Sequence, residues 1–385
     1  MSITVRSKLP DVGTTIFSVM SALATKSNAL NLSQGFPDFE PPESLAARLN
    51  FHVENGHNQY PPMHGVAVLR EAIAHKMHQR YGLKLDAELE VTVTSGATEA
   101  LFSSIAALCG PGDEVIVFDP AYDSYDPAIR LAGALPVHVP LLADNFGIDF
   151  AALSDALTSR TRMLVINTPH NPTATVVDNE SLGKLAALLE PLDCVVLSDE
   201  VYEHIVFDGA RHQSLVAHPQ LKDRTIAVFS FGKTYHATGW KIGYAIAPRE
   251  LTTEIRKVHQ FNTFATAGPM QWALADFMRE DPGFAESIGE FYQAKRDLFA
   301  GALSTSRLQL GNSAGTYFQL AEYSGVSDMA DTEFCRWLTT DIGVAAIPVS
   351  VFSEKPMAGR WIRFCFAKQD ETLLNAAEIL CKTFS

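Results

Sequence analysis

The chain has 385 residues, 47% hydrophobic and 19% charged, which is the balance of a soluble globular protein with room for one large or two ordinary domains. Its formal net charge of -14 repels phosphate backbones and argues against nucleic acid as a partner. The five cysteines form no C-x-x-C pair, residues 1–10 lack the apolar core of a signal peptide, and no apolar run is long enough to span a bilayer, so reduced thiols, a cytoplasmic location and no membrane partner are expected.

From about residue 90 short β-rich runs alternate with helical ones. Glu90 to Thr94 reads as a strand, and Ala97, Ala100, Leu101, Ser104, Ile105 and Leu108 mark a helical face that Gly110-Pro111-Gly112 ends. Val115 to Phe118, Leu135 to Pro140, Met163 to Asn167, Cys194 to Leu197, Ile226 to Phe229 and Ile242 to Ala247 read as further strands, with a helix from Ser181 to Leu189. Such alternation predicts an α/β fold, a mainly parallel sheet covered by helices on both faces. After about residue 280 the texture changes. A long amphipathic helix from Phe284 to Leu303, strands at Thr316 to Tyr323 and Trp361 to Ala367, and a last helix from Glu371 to Phe384 predict a smaller α+β domain.

In open α/β sheets ligands bind outside the carboxyl ends of the strands, and the chemistry-bearing residues of this chain gather at such ends. The block Ser230-Phe231-Gly232-Lys233-Thr234-Tyr235-His236-Ala237-Thr238-Gly239-Trp240-Lys241 is the most telling. It places Lys233 on a turn between two buried strands, with a hydroxyl three residues before it and a second lysine eight residues after. A lysine so placed suits covalent chemistry beside a bound anion. The block resembles the Schiff-base lysine segment of the fold-type I aminotransferases of class I/II, which use pyridoxal 5'-phosphate (PLP). Within them it is most similar to the methionine aminotransferases of bacteria, near the kynurenine/glutamine aminotransferases.

The remaining motifs follow in that light. Thr94-Ser95-Gly96-Ala97-Thr98 ends a strand and opens a helix, which makes either an ordinary capped turn or an anion site with free N–H groups. The resemblance implies a phosphate shared by Gly96, Ala97, Thr98, Ser230 and Lys241, where relatives often carry arginine in place of Lys241. Asp199 follows an apolar strand and needs a cation partner, and a protonated pyridine nitrogen would serve. Alone, Ser198-Asp199-Glu200 reads equally as a helix cap. Tyr202 and Asn171 would bond the cofactor phenolate oxygen, with Asn171 also near substrate. Tyr122 would stack on the ring, and Tyr125 is read as structural. Ala174 stands where the family pattern has glycine, and His170 reads as a loop histidine beside the site.

Arg363, alone in the apolar run Trp361 to Phe366, needs either a structural acid or the carboxylate of a substrate, and the resemblance favours the latter. Gly35 and Phe36 match the substrate loop of the family, and Tyr60 matches a residue that reaches the neighbouring subunit's phosphate in a homodimer with shared active sites. Phe36, Tyr60, Phe261, Phe264 and Phe352 suggest an aromatic-rich pocket, with Phe261 and Phe264 on a helix that carries no second arginine. The resemblance therefore implies ping-pong transfer between an apolar, sulfur-containing or aromatic amino acid, methionine favoured, and a 2-oxo acid. Alternatives are a kynurenine/glutamine-type specificity or a β-C–S lyase on the same fold. It also implies a large PLP-binding domain at 46–280 and a discontinuous small domain formed by 1–45 and 281–385. No metal is expected, since no H-E-x-x-H or C-x-x-C pattern occurs.

Overall fold

The computed structural model describes residue 3 and residues 5–385. Seven strands form the main sheet in the spatial order Val91–Thr94, Gly243–Ile246, Thr225–Ser230, Val195–Asp199, Thr161–Asn167, Glu114–Asp119, Leu135–Pro140. All neighbours are parallel except Gly243–Ile246, which runs antiparallel to both flanking strands. The exception has a simple cause. A parallel return needs a crossover of a dozen or more residues, usually a whole helix. Ser230 and Gly243 are joined instead by a short helix, Phe231–Thr234, and a 3-10 turn, Thr238–Trp240. Lys233, expected on a turn, thus stands on one turn of helix directly after the strand Thr225–Ser230.

The predicted strands and the helices near residues 181, 284 and 371 all form, within a few residues of their expected ends. The helix expected to include Phe264 is Arg249–Asn262 and stops short of it; Phe264 adopts a left-handed φ of 67°. Three early helices carried signals that the strand-helix pattern did not draw out. Ile16–Ser27 is N-capped by the Thr15 hydroxyl, Glu43–Glu54 follows a proline, and Ala67–Tyr81 stops at Gly82, which takes the left-handed conformation that closes a helix (φ 71°).

The C-terminal third forms a four-stranded antiparallel sheet, ordered Ile347–Pro348, Trp361–Cys365, Phe318–Glu322, Gln309–Leu310, against the helices Gly283–Ala302 and Asp370–Thr383. The N-terminal segment returns to it. Leu30–Asn31 pairs in parallel with Val344–Ala345, and Met20 and Leu32 are buried in the same core as Phe299, Phe334 and Phe364. No helix among the described residues is long and apolar enough to cross a membrane.

Candidate active site

Asn167, Asp199 and Ser230 are the last residues of three adjacent parallel strands, so the sheet itself sets their side chains in a row along its carboxyl edge. Asn167 Nδ2 donates to the Asp199 carbonyl oxygen at 2.8 Å, and the Thr168 N–H donates to the same oxygen at 3.0 Å. That pair fixes the backbone from which the Asp199 carboxylate projects.

Asp199 is 4% exposed. Its Oδ2 accepts from the Tyr125 hydroxyl at 2.7 Å, and its Oδ1 accepts weakly from the Val201 N–H at 3.4 Å. No cation lies within ion-pair distance of it among the described residues. Burial pushes its pKa up to about 6, against the opposing pull of the Tyr125 hydrogen bond. A buried carboxylate without a counter-charge is costly, and a cationic ring nitrogen is the kind of partner it fits. Glu200, the next residue, points away and is consumed by Ser198, His212 and the Leu215 N–H. The sequence reading of Tyr125 as purely structural is corrected here: Tyr125 is buried, but its hydroxyl is the main hydrogen-bond donor to Asp199.

Lys233 lies across from it. Its amine donates to the Tyr317 hydroxyl at 2.9 Å and to the Gly35 carbonyl oxygen at 3.2 Å, and the Tyr317 hydroxyl donates to that same oxygen at 2.6 Å. The amine also sits 5.5 Å from the Tyr202 ring centre. Burial pushes the Lys233 pKa down to about 8, so a useful fraction of neutral, nucleophilic amine exists near neutral pH. Tyr317 was not singled out from sequence. It falls inside an apolar strand run, and only the fold brings it to a lysine 84 residues away.

The glycine turn has the expected form. Gly96 has φ 78° and precedes the helix Ala97–Leu108 with no side chain capping it, so the first N–H groups, of Ala97 and Thr98, are free of intrahelical partners. The Lys241 amine lies 3.3 Å from where a Gly96 Cβ would stand, and Lys241 has no carboxylate partner among the described residues. Ser230 stands in register with Gly243 of the next strand. A Cβ on Gly243 would come within 2.7 Å of the Ala97 nitrogen, so only glycine lets this strand approach the turn. Free N–H groups, a helix N-terminus and an unpaired lysine at one place are what a phosphate needs.

Arg363 is 1% exposed. Nη1 donates to Asn171 Oδ1 at 2.6 Å, Nη2 reaches the Ser33 carbonyl oxygen at 3.5 Å, and Nε has no hydrogen-bond partner. The guanidinium lies 3.9 Å from the Phe318 ring centre, with the Phe17 and Phe352 rings at 5.2 and 5.9 Å. No carboxylate among the described residues reaches ion-pair distance. A fully buried guanidinium without an acid of its own suits a carboxylate that arrives from outside. A side chain on Gly35 would press on Phe318 at 3.2 Å and approach Arg363 Nη2 at 3.9 Å, so glycine keeps this space open. Phe36 is held by its carbonyl oxygen, which accepts from the Lys368 amine at 2.8 Å.

Other residues fall less centrally. Tyr122 packs edge-on against Tyr125 with ring centres 5.6 Å apart, and burial pushes its pKa up to about 12. Tyr60 is 84% exposed and touches Phe264 edge-on, and Phe261 is 85% exposed. Neither forms a wall beside Arg363 within one chain, whereas Phe352 and the unforeseen Phe17 do. His170 is buried, bonds Thr173 and has its pKa pushed down to about 4 by burial, which keeps it neutral at pH 7. A cleft of about 1820 Å³, lined in part by Lys76, Arg80, His204 and Glu286, holds none of the candidate groups. Two of its cations are paired, Lys76 with the neighbouring Glu203 and Arg80 with Glu286.

An open α/β sheet with a half-buried lysine, a buried acid and a glycine turn suited to an anion at its carboxyl edge defines a particular class of enzyme. Residues 27–380 match the family model "Aminotransferase class I and II", and the chain belongs to that family, whose members are PLP-dependent transaminases. More particularly, it is 52% identical over 375 residues to a methionine aminotransferase of Escherichia coli (strain K12), with 97% of each chain covered. A probable N-succinyldiaminopimelate aminotransferase of Mycobacterium tuberculosis is 41% identical over 382 residues, 96% of each chain. A crystal structure of the Escherichia coli methionine aminotransferase superposes with a TM-score of 0.97 at 51% identity, covering 99% of this chain and all of that one. A Thermus thermophilus aspartate aminotransferase mutant superposes at 0.91 with 30% identity over the full length of both.

If Asp199 serves a cationic ring, PLP affinity falls as pH drops through about 6, because the raised pKa means that the carboxylate protonates there and loses its charge. Asp199→Asn is expected to bind PLP more weakly at pH 7 and to lose that acid limb. Titration of PLP by fluorescence across this range measures both.

Proposed function

We propose that this chain binds PLP and transfers the amino group of an L-amino acid with an apolar, sulfur-containing or aromatic side chain, methionine favoured, to a 2-oxo acid by a ping-pong route. The observation that carries the reading is a set of three ionic groups, the half-buried Lys233 and the buried Asp199 and Arg363, whose charges act on one another and which have no counter-ion within ion-pair distance among the described residues. PLP, when bound, supplies a reactive aldehyde and a cationic ring that accepts electron density from the substrate α-carbon.

The chain supplies everything else. Lys233 holds the cofactor covalently and, once released, moves the proton at the substrate α-carbon, a step for which a pKa near 8 is well matched. Tyr317 and the Gly35 carbonyl oxygen orient that amine. Asp199, held by Tyr125, keeps the ring nitrogen protonated, and Tyr202 and Asn171 serve the phenolate oxygen. Tyr122 covers the ring face. Gly96, Ala97, Thr98, Ser230 and Lys241 hold the phosphate. Arg363 grips the substrate carboxylate, positioned by Asn171 and the Phe318 face. Gly35 leaves room for the substrate and Phe36 covers it.

The 52% identity to a methionine aminotransferase supports the substrate reading, as do the phenyl rings of Phe17 and Phe352 beside Arg363, since sulfur–aromatic contacts contribute about 0.3–1.5 kcal/mol each. The exposed ring of Tyr60, beside Phe264 and Phe261, supports a homodimer in which Tyr60 completes the partner's site. The return of Leu30–Asn31 to Val344–Ala345 supports a large domain at 46–280 and a small domain of 1–45 with 281–385, of which residues 1, 2 and 4 lie outside the described residues.

A panel of amino donors against 2-oxo acids tests the reading. Methionine is expected to give the highest kcat/KM, with aromatic donors following and aspartate last. Preference for kynurenine would move the specificity to the neighbouring subgroup. Pyruvate and ammonia released from a cysteine conjugate without an acceptor would show a lyase instead.

A further inference from the structure

His259 lies on the helix Arg249–Asn262, fully buried against the helix Ala97–Leu108. Both of its ring nitrogens face acceptors. Nδ1 is 3.0 Å from Glu99 Oε1, and Nε2 is 2.8 Å from the Met63 carbonyl oxygen. A neutral imidazole has one N–H and can satisfy only one of them. The other would be left as two lone pairs facing each other in a buried place, which is costly. Only the imidazolium serves both.

Glu99 is occupied as an acceptor. Its Oε1 also accepts from the Ser103 hydroxyl at 2.6 Å, and its Oε2 accepts from the Ser95 N–H at 3.2 Å. Among charged groups, Glu99 faces His259 from the opposite helix and Arg256 from one turn earlier on its own. The strand Val91–Thr94 beneath brings no charge. Arg256 is turned away onto the Val91 carbonyl oxygen and the Thr92 hydroxyl, with Arg70, Glu88 and His64 beyond it. Burial opposes the charge on His259, but the hydrogen bond and charge of Glu99 outweigh it and hold its pKa above the ordinary value.

The pair joins two segments that matter for the site. Ser95, held by Glu99, opens the glycine turn. Met63, held by His259, belongs to the loop that carries Tyr60. A third segment is tied in as well: the Ser95 hydroxyl meets Thr266 Oγ1 at 3.0 Å, and Gln271 links the Thr266 carbonyl oxygen to the Val66 N–H, each at 2.8 Å.

We propose that the His259 imidazolium and Glu99 form a positioning pair that holds the anion-binding turn Ser95–Thr98 in register with the Tyr60 loop, so that affinity for the cofactor's phosphate depends on the charge of His259. This rests on the phosphate-site reading given above. The sign follows from the raised pKa: the contribution is complete at low pH and is lost as pH rises through the folded-state value.

The test is binding of pyridoxamine 5'-phosphate, which forms no imine with lysine, to the full-length chain freed of cofactor, followed by tryptophan fluorescence from about pH 6 to 9. Wild-type affinity is expected to fall about tenfold as pH rises, the scale of one charged hydrogen bond. Glu99→Gln, which is isosteric and accommodates a neutral His259, is expected to be weaker at low pH and to lack the part of the pH dependence that His259 contributes, so that the wild-type advantage over it shrinks as pH rises. His259→Gln should match it. Ionisation of the ligand is common to all three and cancels in the ratios. In ¹⁵N spectra of the wild-type protein, the His259 ring signals, assigned by through-bond correlation from the His259 backbone, should show two protonated nitrogens at pH 7. Identical pH dependence in wild type and Glu99→Gln, or a single neutral tautomer of His259, overturns the proposal, and the spectrum decides even if a variant fails to fold. Failure of the wild type to bind pyridoxamine 5'-phosphate at any pH would overturn the phosphate-site reading as well.

Discussion

Replacement of Lys233 by alanine is expected to abolish turnover, with a loss of at least about 10²–10⁴-fold from the positioned proton transfer alone and more from the lost covalent step. The fold should survive it. The amine's two hydrogen bonds go to the Tyr317 hydroxyl and the Gly35 carbonyl oxygen, and these are bonded to each other at 2.6 Å without it. Burying an amine whose pKa is pushed down to about 8 also costs the folded state something at neutral pH, and alanine removes that cost. The visible absorption of lysine-linked PLP should vanish, while noncovalent binding through the glycine turn persists. A small exogenous amine such as methylamine should restore part of the rate, because the cavity left beside Tyr317 admits it and the proton at the α-carbon again has a carrier. Unchanged turnover in Lys233→Ala would sink the mechanism.

Arg363→Met should separate activity from stability. The guanidinium is 1% exposed, has an unpartnered Nε and lacks an acid within ion-pair distance among the described residues. Loss of the group that meets a buried substrate carboxylate costs about 2–5 kcal/mol, so kcat/KM should fall roughly 10²–10³-fold. Arg363→Lys should fall between, since a point charge cannot make the paired hydrogen bonds of a guanidinium. Stability should move the other way. Exchange of buried charged groups for well-packed apolar ones of similar volume is often neutral or stabilising by about 1–4 kcal/mol, and the methionine would rest on the Phe17, Phe318 and Phe352 rings that now surround the guanidinium. Donor kinetics and a thermal melt of the protein without substrate read the two effects separately. A fall in both would show that Arg363 is chiefly structural.

Much of this site was legible in the amino-acid sequence because its parts are local. A strand that ends in a polar residue announces its own carboxyl edge, as at Asp199 and Ser230. A glycine between a strand and a helix, as at Gly96, allows an anion site or an ordinary capped turn, and the lysine block tips it to the former. The lysine block places Ser230, Lys233 and Lys241 within twelve residues, and the strand-helix alternation supplies the parallel sheet on which these ends line up. The isolation of Arg363 in an apolar run showed that it needs a carboxylate, while the choice between a structural acid and a substrate rested on the resemblance.

What the chain's order of residues could not show is which distant group answers each of these. Tyr125 meets Asp199 across 74 residues, Tyr317 meets Lys233 across 84, Asn171 meets Arg363 across 192 and His259 meets Glu99 across 160. Each of the four has the composition of an ordinary core or loop residue, and its role comes from packing. A hydrogen bond selects its partner by an ångström of distance and an angle, and those depend on how whole layers settle against one another. The sequence therefore determined the kind of chemistry and the edge of the sheet where it belongs. The tertiary structure decided the pKa of each group, the orientation of the lysine amine and the lack of counter-ions beside Asp199 and Arg363, because charge and burial are set by everything that surrounds an atom and not by its neighbours along the chain.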